Sequence, residues 1–173
     1  MKIIRVLPIF SFLALSGGFL SAANLDRTDT KFVNNAARGG EAEVKLGHLA
    51  EQKGSNQAVR DFGQRMVKDH TAANDKLKTV ASEKGITWPS SIDAKDQVLY
   101  DRLSKLSGTE FDRVYINAMV RDHTQDVSEF RHESQAAKDQ AVKSFASDTL
   151  PTLEDHLKEA KQVQQQVGAT SSK

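Results

Sequence analysis

Helical periodicity in four long stretches, separated by stop signals at unequal intervals, leaves this chain few folds to choose from. Apolar residues recur every three to four positions over about 28–52, 55–84, 109–135 and 138–167. Gly54 is placed to stop the first stretch and Gly85 the second. Ser55 or Asn56 is placed to cap the second helix and Thr109 the third. Pro89 then disfavours helical geometry at Trp88. A shorter amphipathic piece, roughly 93–106, closes at Ser107-Gly108, and Pro151 falls inside the fourth stretch.

Two helices, a connection spanning about 85–107, then two more helices predicts that the second and third long helices run parallel. A plain up-and-down bundle needs no such connection. The expected fold is therefore all-α: a ferritin-like four-helix bundle with a long, partly helical crossover between the second and third long helices. Trp88-Pro89 and the short helix are expected to cover the bundle.

The N-terminus reads as a secretory signal. Lys2 and Arg5 precede an apolar stretch over 6–20, and Ser21-Ala22-Ala23 supplies the small residues of a cleavage site. The stretch contains Pro8, Ser11 and Gly17-Gly18 and is short for a membrane span of about 20 residues. The expected organisation is a signal peptide at 1–23, a bundle domain at 24–167 and a disordered polar tail at 168–173. Without Lys2 and Arg5, basic and acidic residues balance to within one charge. That balance argues against nucleic acid as a partner, which needs a basic face. No cysteine is present, so a lipid-anchored cysteine is excluded and stability must come from packing. No integral span is expected in the mature chain, nor the period-two alternation of a membrane barrel. The predicted location is the periplasm, with attachment at the outer membrane and an envelope-protein partner or a second copy of the chain left open.

Projecting the helices at about 100° per residue shows which side chains share a face. On the first, Phe32, Ala36, Gly39, Leu46, Gly47 and Ala50 form a stripe with Glu43 near its centre, while Glu41 and His48 fall on the far side. On the second, His70 lies among Phe62, Met66, Ala73 and Leu77. On the third, His123 lies with Tyr115, Met119 and Phe130, and on the fourth His156 lies with Phe145, Leu153 and Ala160. The hexamers Met66-Val67-Lys68-Asp69-His70-Thr71 and Met119-Val120-Arg121-Asp122-His123-Thr124 nearly repeat. Asp69 and Asp122 sit at stripe edges, Asp155 points away, and Asp126 lies one turn beyond His123.

One carboxylate and three imidazoles thus converge. They suit one divalent transition-metal ion, Zn²⁺, Fe²⁺ or Mn²⁺. The expected ligands are Glu43, His70, His123 and His156, with Asp69, Asp122 and Asp126 as supporting acceptors or alternative ligands. The competing reading is a buried polar network that fixes helix register and binds nothing. Axial register favours the latter: hairpins centred near Gly54 and Ala137 leave Glu43 and His70, and likewise His123 and His156, about 7–8 Å out of level. No phosphate loop or nucleophile elbow is present, so catalysis is not expected, although a metal-dependent oxidoreductase stays open.

Glu43 with Leu46-Gly47 and Ala50, the run Phe62 to Val67 leading into Asp69-His70, and Phe111-Asp112 with Tyr115 carry a resemblance, as do Met119-Val120, His123, and Leu150-Pro151 leading to His156-Leu157. On these residues the chain resembles the bacterial exported family of unknown function whose members are often called predicted outer membrane proteins. That resemblance implies a ferritin-like bundle and an envelope location, and brings no activity. Di-iron bundles carry Glu-x-x-His on two helices. Here Val67, Val120 and Leu153 stand three residues before the histidines, which argues against a di-iron oxidase.

Overall fold

A computed structural model describes residues 25–170. The expected signal peptide at 1–23 and the last three residues of the tail lie outside the described residues. Five helices follow in order: α1 (Arg27–Lys53), α2 (Gln57–Glu83), α3 (Ala94–Ser104), α4 (Gly108–Ala136) and α5 (Gln140–Thr170). Among the described residues there are no strands. No helix among them is long and apolar enough to cross a membrane.

Local chemistry sets the boundaries. The Asp26 carboxylate accepts from the Thr28 and Asp29 amides, and Asn56 accepts from Ala58. Asp139 does the same for Ala141 and Val142. Each satisfies amides that a helix start leaves without partners. At the end of α2, Gly85 takes φ +68°. Its amide donates to Ser82 and the Ile86 amide to Ala81, the paired bonds of a left-handed helix stop. α4 begins at Gly108 behind Ser107, so Thr109 lies in the first turn instead of capping it. Pro151 is exposed within α5, and so is Ser147, the residue whose carbonyl loses the bond that a proline cannot donate. That helix runs on to Thr170, past the Gly168 at which the sequence suggested fraying.

Cross-helix bonds fix the directions. Asp29 at the start of α1 accepts from the Lys138 and Asp139 amides beyond the end of α4. Asp112 at the start of α4 accepts from the Ser55 and Asn56 amides beyond the end of α1. α1 and α4 are therefore antiparallel. Arg65 reaches Glu159, and Lys84 at the end of α2 pairs with Asp139 before α5, 2.5 Å away, so α2 and α5 are antiparallel too. It follows that α2 and α4 point the same way, and residues 84–107, including α3, carry the chain back along the bundle.

These two aspartates expose an internal symmetry. Asp29 and Asp112, Phe32 and Tyr115, Asn56 and Asp139, Val59 and Val142, and Phe62 and Phe145 each stand 83 residues apart. The chain is two similar helical hairpins, each tying down the other's turn through a buried aspartate that is 1 % exposed.

The apolar core comes in two pieces. One holds Leu46, Ala50, Phe62, Met66, Phe111, Tyr115, Met119 and Val163. The other holds Phe32, Val33, Leu77, Phe130, Val142, Phe145 and Leu153. A buried polar layer containing Glu43, His70, Asn74, His123 and His156 accompanies them.

Candidate metal centre

Helical spacing puts each histidine inside. His70 lies one turn after Met66, His123 one turn after Met119, and His156 three residues after Leu153, all buried positions. They are 7 %, 0 % and 1 % exposed. Their ring centroids form a near-equilateral triangle with sides of 5.7, 5.4 and 5.3 Å. One nitrogen from each lies within 4.8 Å of the other two.

The axial offset expected from the sequence does not arise. On the α1–α2 hairpin, Gly40 abuts Asn74, and Gly47 abuts Gly63 and Val67, which brings the level of Glu43 to about that of His70. Arg131 pairs with Glu154, and Asn117 with Gln164. The second hairpin therefore pivots several residues beyond Ala137 and carries His156 up to His123.

Hydrogen bonds decide which nitrogens are free. His123 Nδ1 is 3.0 Å from the Met119 carbonyl, which can only accept. The proton therefore sits on Nδ1 and the lone pair on Nε2. His156 Nε2 lies 2.9 Å from Asp69 Oδ2, leaving its lone pair on Nδ1. Asp69 is itself held by Arg65 Nε at 3.2 Å, and Arg65 also binds Glu159. His156 is thus oriented by a chain of side chains that ends at the surface. His70 Nε2, His123 Nε2 and His156 Nδ1 are all buried without a hydrogen-bond partner from the protein.

Desolvation keeps these rings neutral. Burial drives His70 well below its ordinary value, helped by His123 and His156. Burial takes His123 down to about 3, with His156 adding to it and the Met119 bond opposing. Burial also lowers His156, against the pull of Asp69. Neutral imidazole is the form that offers a lone pair.

Glu43 stands elsewhere. Its Oε1 is 3.9 Å from His123 Nδ1, the protonated side of that ring, and the trio of converging nitrogens does not include it. It is 1 % exposed, and neither oxygen has a hydrogen-bond partner. Burial raises it well above the carboxylate range, with Asp122 and Asp126 reinforcing. Asp69, at the edge of its helical stripe, bonds to His156. Burial works against the Asp69 charge, but His156 and Arg65 hold it below the usual range. Asp122 and Asp126 do not join the trio; they line a cavity beside it together with His70. Burial pushes Asp126 up to about 8, with Asp122 and Glu129 adding to it.

The opposing shifts set a pH profile. Unfolded, the histidines bind protons below about 6.5, and folded they do not, so folding weakens as pH falls from 6.5. Glu43 and Asp126 hold protons when folded and release them near pH 4 when unfolded. The Asp126 contribution fades as pH rises toward 8. Metal-free protein should therefore melt highest near pH 6.5 and lose stability on both sides. Asp126→Asn should flatten the alkaline limb, gaining about 1–2 kcal/mol at pH 8 because the cavity wall is partly solvated. Melting temperatures from pH 4 to 9 check this, and an unchanged alkaline limb in the variant contradicts it.

Sequence reasoning missed the buried Asp29 and Asp112. The 83-residue repeat carried the signal, but the more conspicuous near-identity of the two Met-Val-x-Asp-His runs, 53 residues apart, lies across it.

The family model for a domain of unknown function, DUF4142, matches residues 14–163, and the chain belongs to that family. None of the curated proteins matches it. Among solved structures it is similar to a DUF305 fragment from Deinococcus radiodurans. That likeness has a TM-score of 0.72 and 13% identity, covering 83% of this chain and 99% of that one. It is also similar to CopM in the Cu(II)-bound form, with a TM-score of 0.67, 16% identity and coverage of 80% and 96%. CopM in an Ag-bound form gives 0.65, 17%, 80% and 96%. At these identities the likeness shows a shared fold alone.

Proposed function

We propose that this member of the DUF4142 family is an exported metal-binding protein that holds one transition-metal ion through His70 Nε2, His123 Nε2 and His156 Nδ1. The observation that carries the reading is three buried histidines that bring one nitrogen apiece within 4.8 Å of the other two, each ring having a nitrogen with no hydrogen-bond partner. A polar network serving only to set helix register would satisfy its buried groups, because an unpaired one costs about 1–3 kcal/mol. Here the outer nitrogens of His123 and His156 are satisfied and the inner ones are not, the pattern expected of oriented ligands.

The triangle also has the right size. Its centre lies about 3.2 Å from each ring centroid. That matches a metal–nitrogen bond of about 2.0–2.1 Å added to roughly 1.1 Å from nitrogen to ring centre. An all-imidazole set suits zinc, copper, nickel or iron and is a poor match for manganese, which prefers oxygen. The copper- and silver-bound forms of CopM, similar in fold, favour copper within that group. The parallel course of α2 and α4 supports a ferritin-like bundle, and the signal-like N-terminus supports export. None of the three inward histidines has a glutamate three residues before it, which disfavours di-iron oxidase chemistry.

Elemental mass spectrometry of untagged, metal-free protein reloaded with Zn²⁺, Cu²⁺ or Fe²⁺ tests the reading. About one ion per chain is expected for at least one of them. Less than about 0.2 per chain for all three would overturn it and return the histidines to a purely structural role.

A further inference from the structure

Beside the three histidines lies a cavity of about 360 Å³, lined by residues of α1, α2, α4 and α5 and by the start of α3. His70, the most exposed of the trio, forms part of its inner wall, and the partnerless Nε2 belongs to that ring. Asp96, Asp122 and Asp126 also line it. One cation stands among them. Lys95 Nζ is 3.9 Å from Asp96 Oδ1 and 3.9 Å from Asp122 Oδ1. Its side chain is 62% exposed, so it can swing into solvent without disturbing packed residues. Gly39 lines the same cavity, and a Cβ added there would meet nothing within 4 Å.

We propose that this cavity is the way in for the ion, which enters as a hydrated divalent cation, displaces the Lys95 ammonium from Asp96 and Asp122, and passes His70 to reach the three imidazoles. The inference rests on the metal-binding reading and adds the path and the form in which the ion arrives. Size permits it: six waters at roughly 30 Å³ each occupy about 180 Å³, half of the cavity. Electrostatics favours it through Asp96 and Asp122, the two that Lys95 reaches, since carboxylates on low-dielectric walls concentrate cations and raise association rates. Lys95 acts as a tethered competitor, filling the acidic wall when no ion is passing. Carboxylates and water then exchange the cation to imidazole nitrogen, the better partner for a borderline transition metal.

The test is the rate of loading, measured against the amount loaded. Metal-free full-length protein is mixed with Co²⁺ in a stopped-flow instrument, and the visible absorption of nitrogen-ligated cobalt is followed to completion. Gly39→Leu should keep the fold, because leucine replaces a mid-helix glycine facing open space. It should slow loading at least tenfold while the final absorbance stays the same. Lys95→Ala should load several-fold faster at low salt, with the advantage shrinking at 0.5 M salt. Asp155→Asn removes a charge next to His156 in sequence but on the exposed face, and it should load within twofold of wild type. Wild-type rates in both Gly39→Leu and Lys95→Ala, with full final absorbance, would overturn the path and leave the metal centre standing. Equal slowing by Asp155→Asn would reduce the effect to general surface charge and overturn the path as well. No cobalt absorbance at saturation in the wild type would remove centre and path together.

Discussion

Replacing His123 by alanine is expected to take bound metal from about one ion per chain to none, with helical content unchanged. His123 is fully buried and supplies one of three converging nitrogens. Two remaining imidazoles make a site that dilute protein cannot hold loaded. His70→Ala and His156→Ala should do the same. Asp69→Ala should weaken binding by about 10–100-fold, because it releases the bond that orients His156. Glu43→Gln is the discriminating variant. The carboxyl sits on the protonated Nδ1 side of His123, so metal should stay bound within about tenfold of wild type. Metal retained after His123→Ala would refute the trio. Metal lost after Glu43→Gln would make the carboxylate a ligand, as the helical stripe first suggested. Stability should move the other way: His123→Phe, measured without metal, should melt no lower than wild type, since it removes a buried polar atom that has no partner.

The second large effect concerns the spacing of α1 against α2. At Gly47 an added Cβ would lie 2.8 Å from the Gly63 carbonyl oxygen, 2.9 Å from Val67 Cγ2 and 3.2 Å from the Val67 amide. At Gly63 it would lie 2.8 Å from both Ala50 Cβ and the Gly47 carbonyl oxygen. Backbone cannot rotate aside as a side chain can, so the helices must separate. Gly47→Ala gains about 1 kcal/mol of helix propensity and should still lose about 1–3 kcal/mol net through overpacking. Gly47→Leu should lose more. At about 2–4 °C per kcal/mol for a chain of this size, the leucine variant should melt roughly 10 °C or more below wild type. Gly39→Ala, in open space, should melt slightly higher. Thermal melts of the three variants decide it, and a Gly47→Leu protein as stable as wild type would show that the close approach is dispensable. Because α2 carries His70, the same variant should also weaken metal binding.

Much of the helical layout was legible in the residues. Boundaries fell within a few residues because capping and stop signals act locally: Asn56, Gly85 and Asp139 do their work on amides and carbonyls of their own turns. The inward placement of His70, His123 and His156 was legible for the same reason, since a helix repeats on a fixed angle. On α1, however, the face that packs is turned toward Val33, Ala37, Gly40 and Leu49, away from part of the stripe read from the sequence. Small residues on that helix gave the projection little contrast.

What the sequence determined by itself was which residues lie on which face of which helix, because those are properties of one helix at a time. Level along the bundle, and therefore whether three histidines meet, was decided only in the tertiary structure. It depends on how closely Gly47 and Gly63 let two backbones approach and on where each hairpin pivots. It depends also on Asp29 and Asp112 reaching across to hold the opposite turns. The tautomers of His123 and His156 were settled there too, because the Met119 carbonyl and Asp69 each engage one ring nitrogen and leave the other free. Periodicity fixes angle; only packing between helices fixes height, and a metal centre requires both.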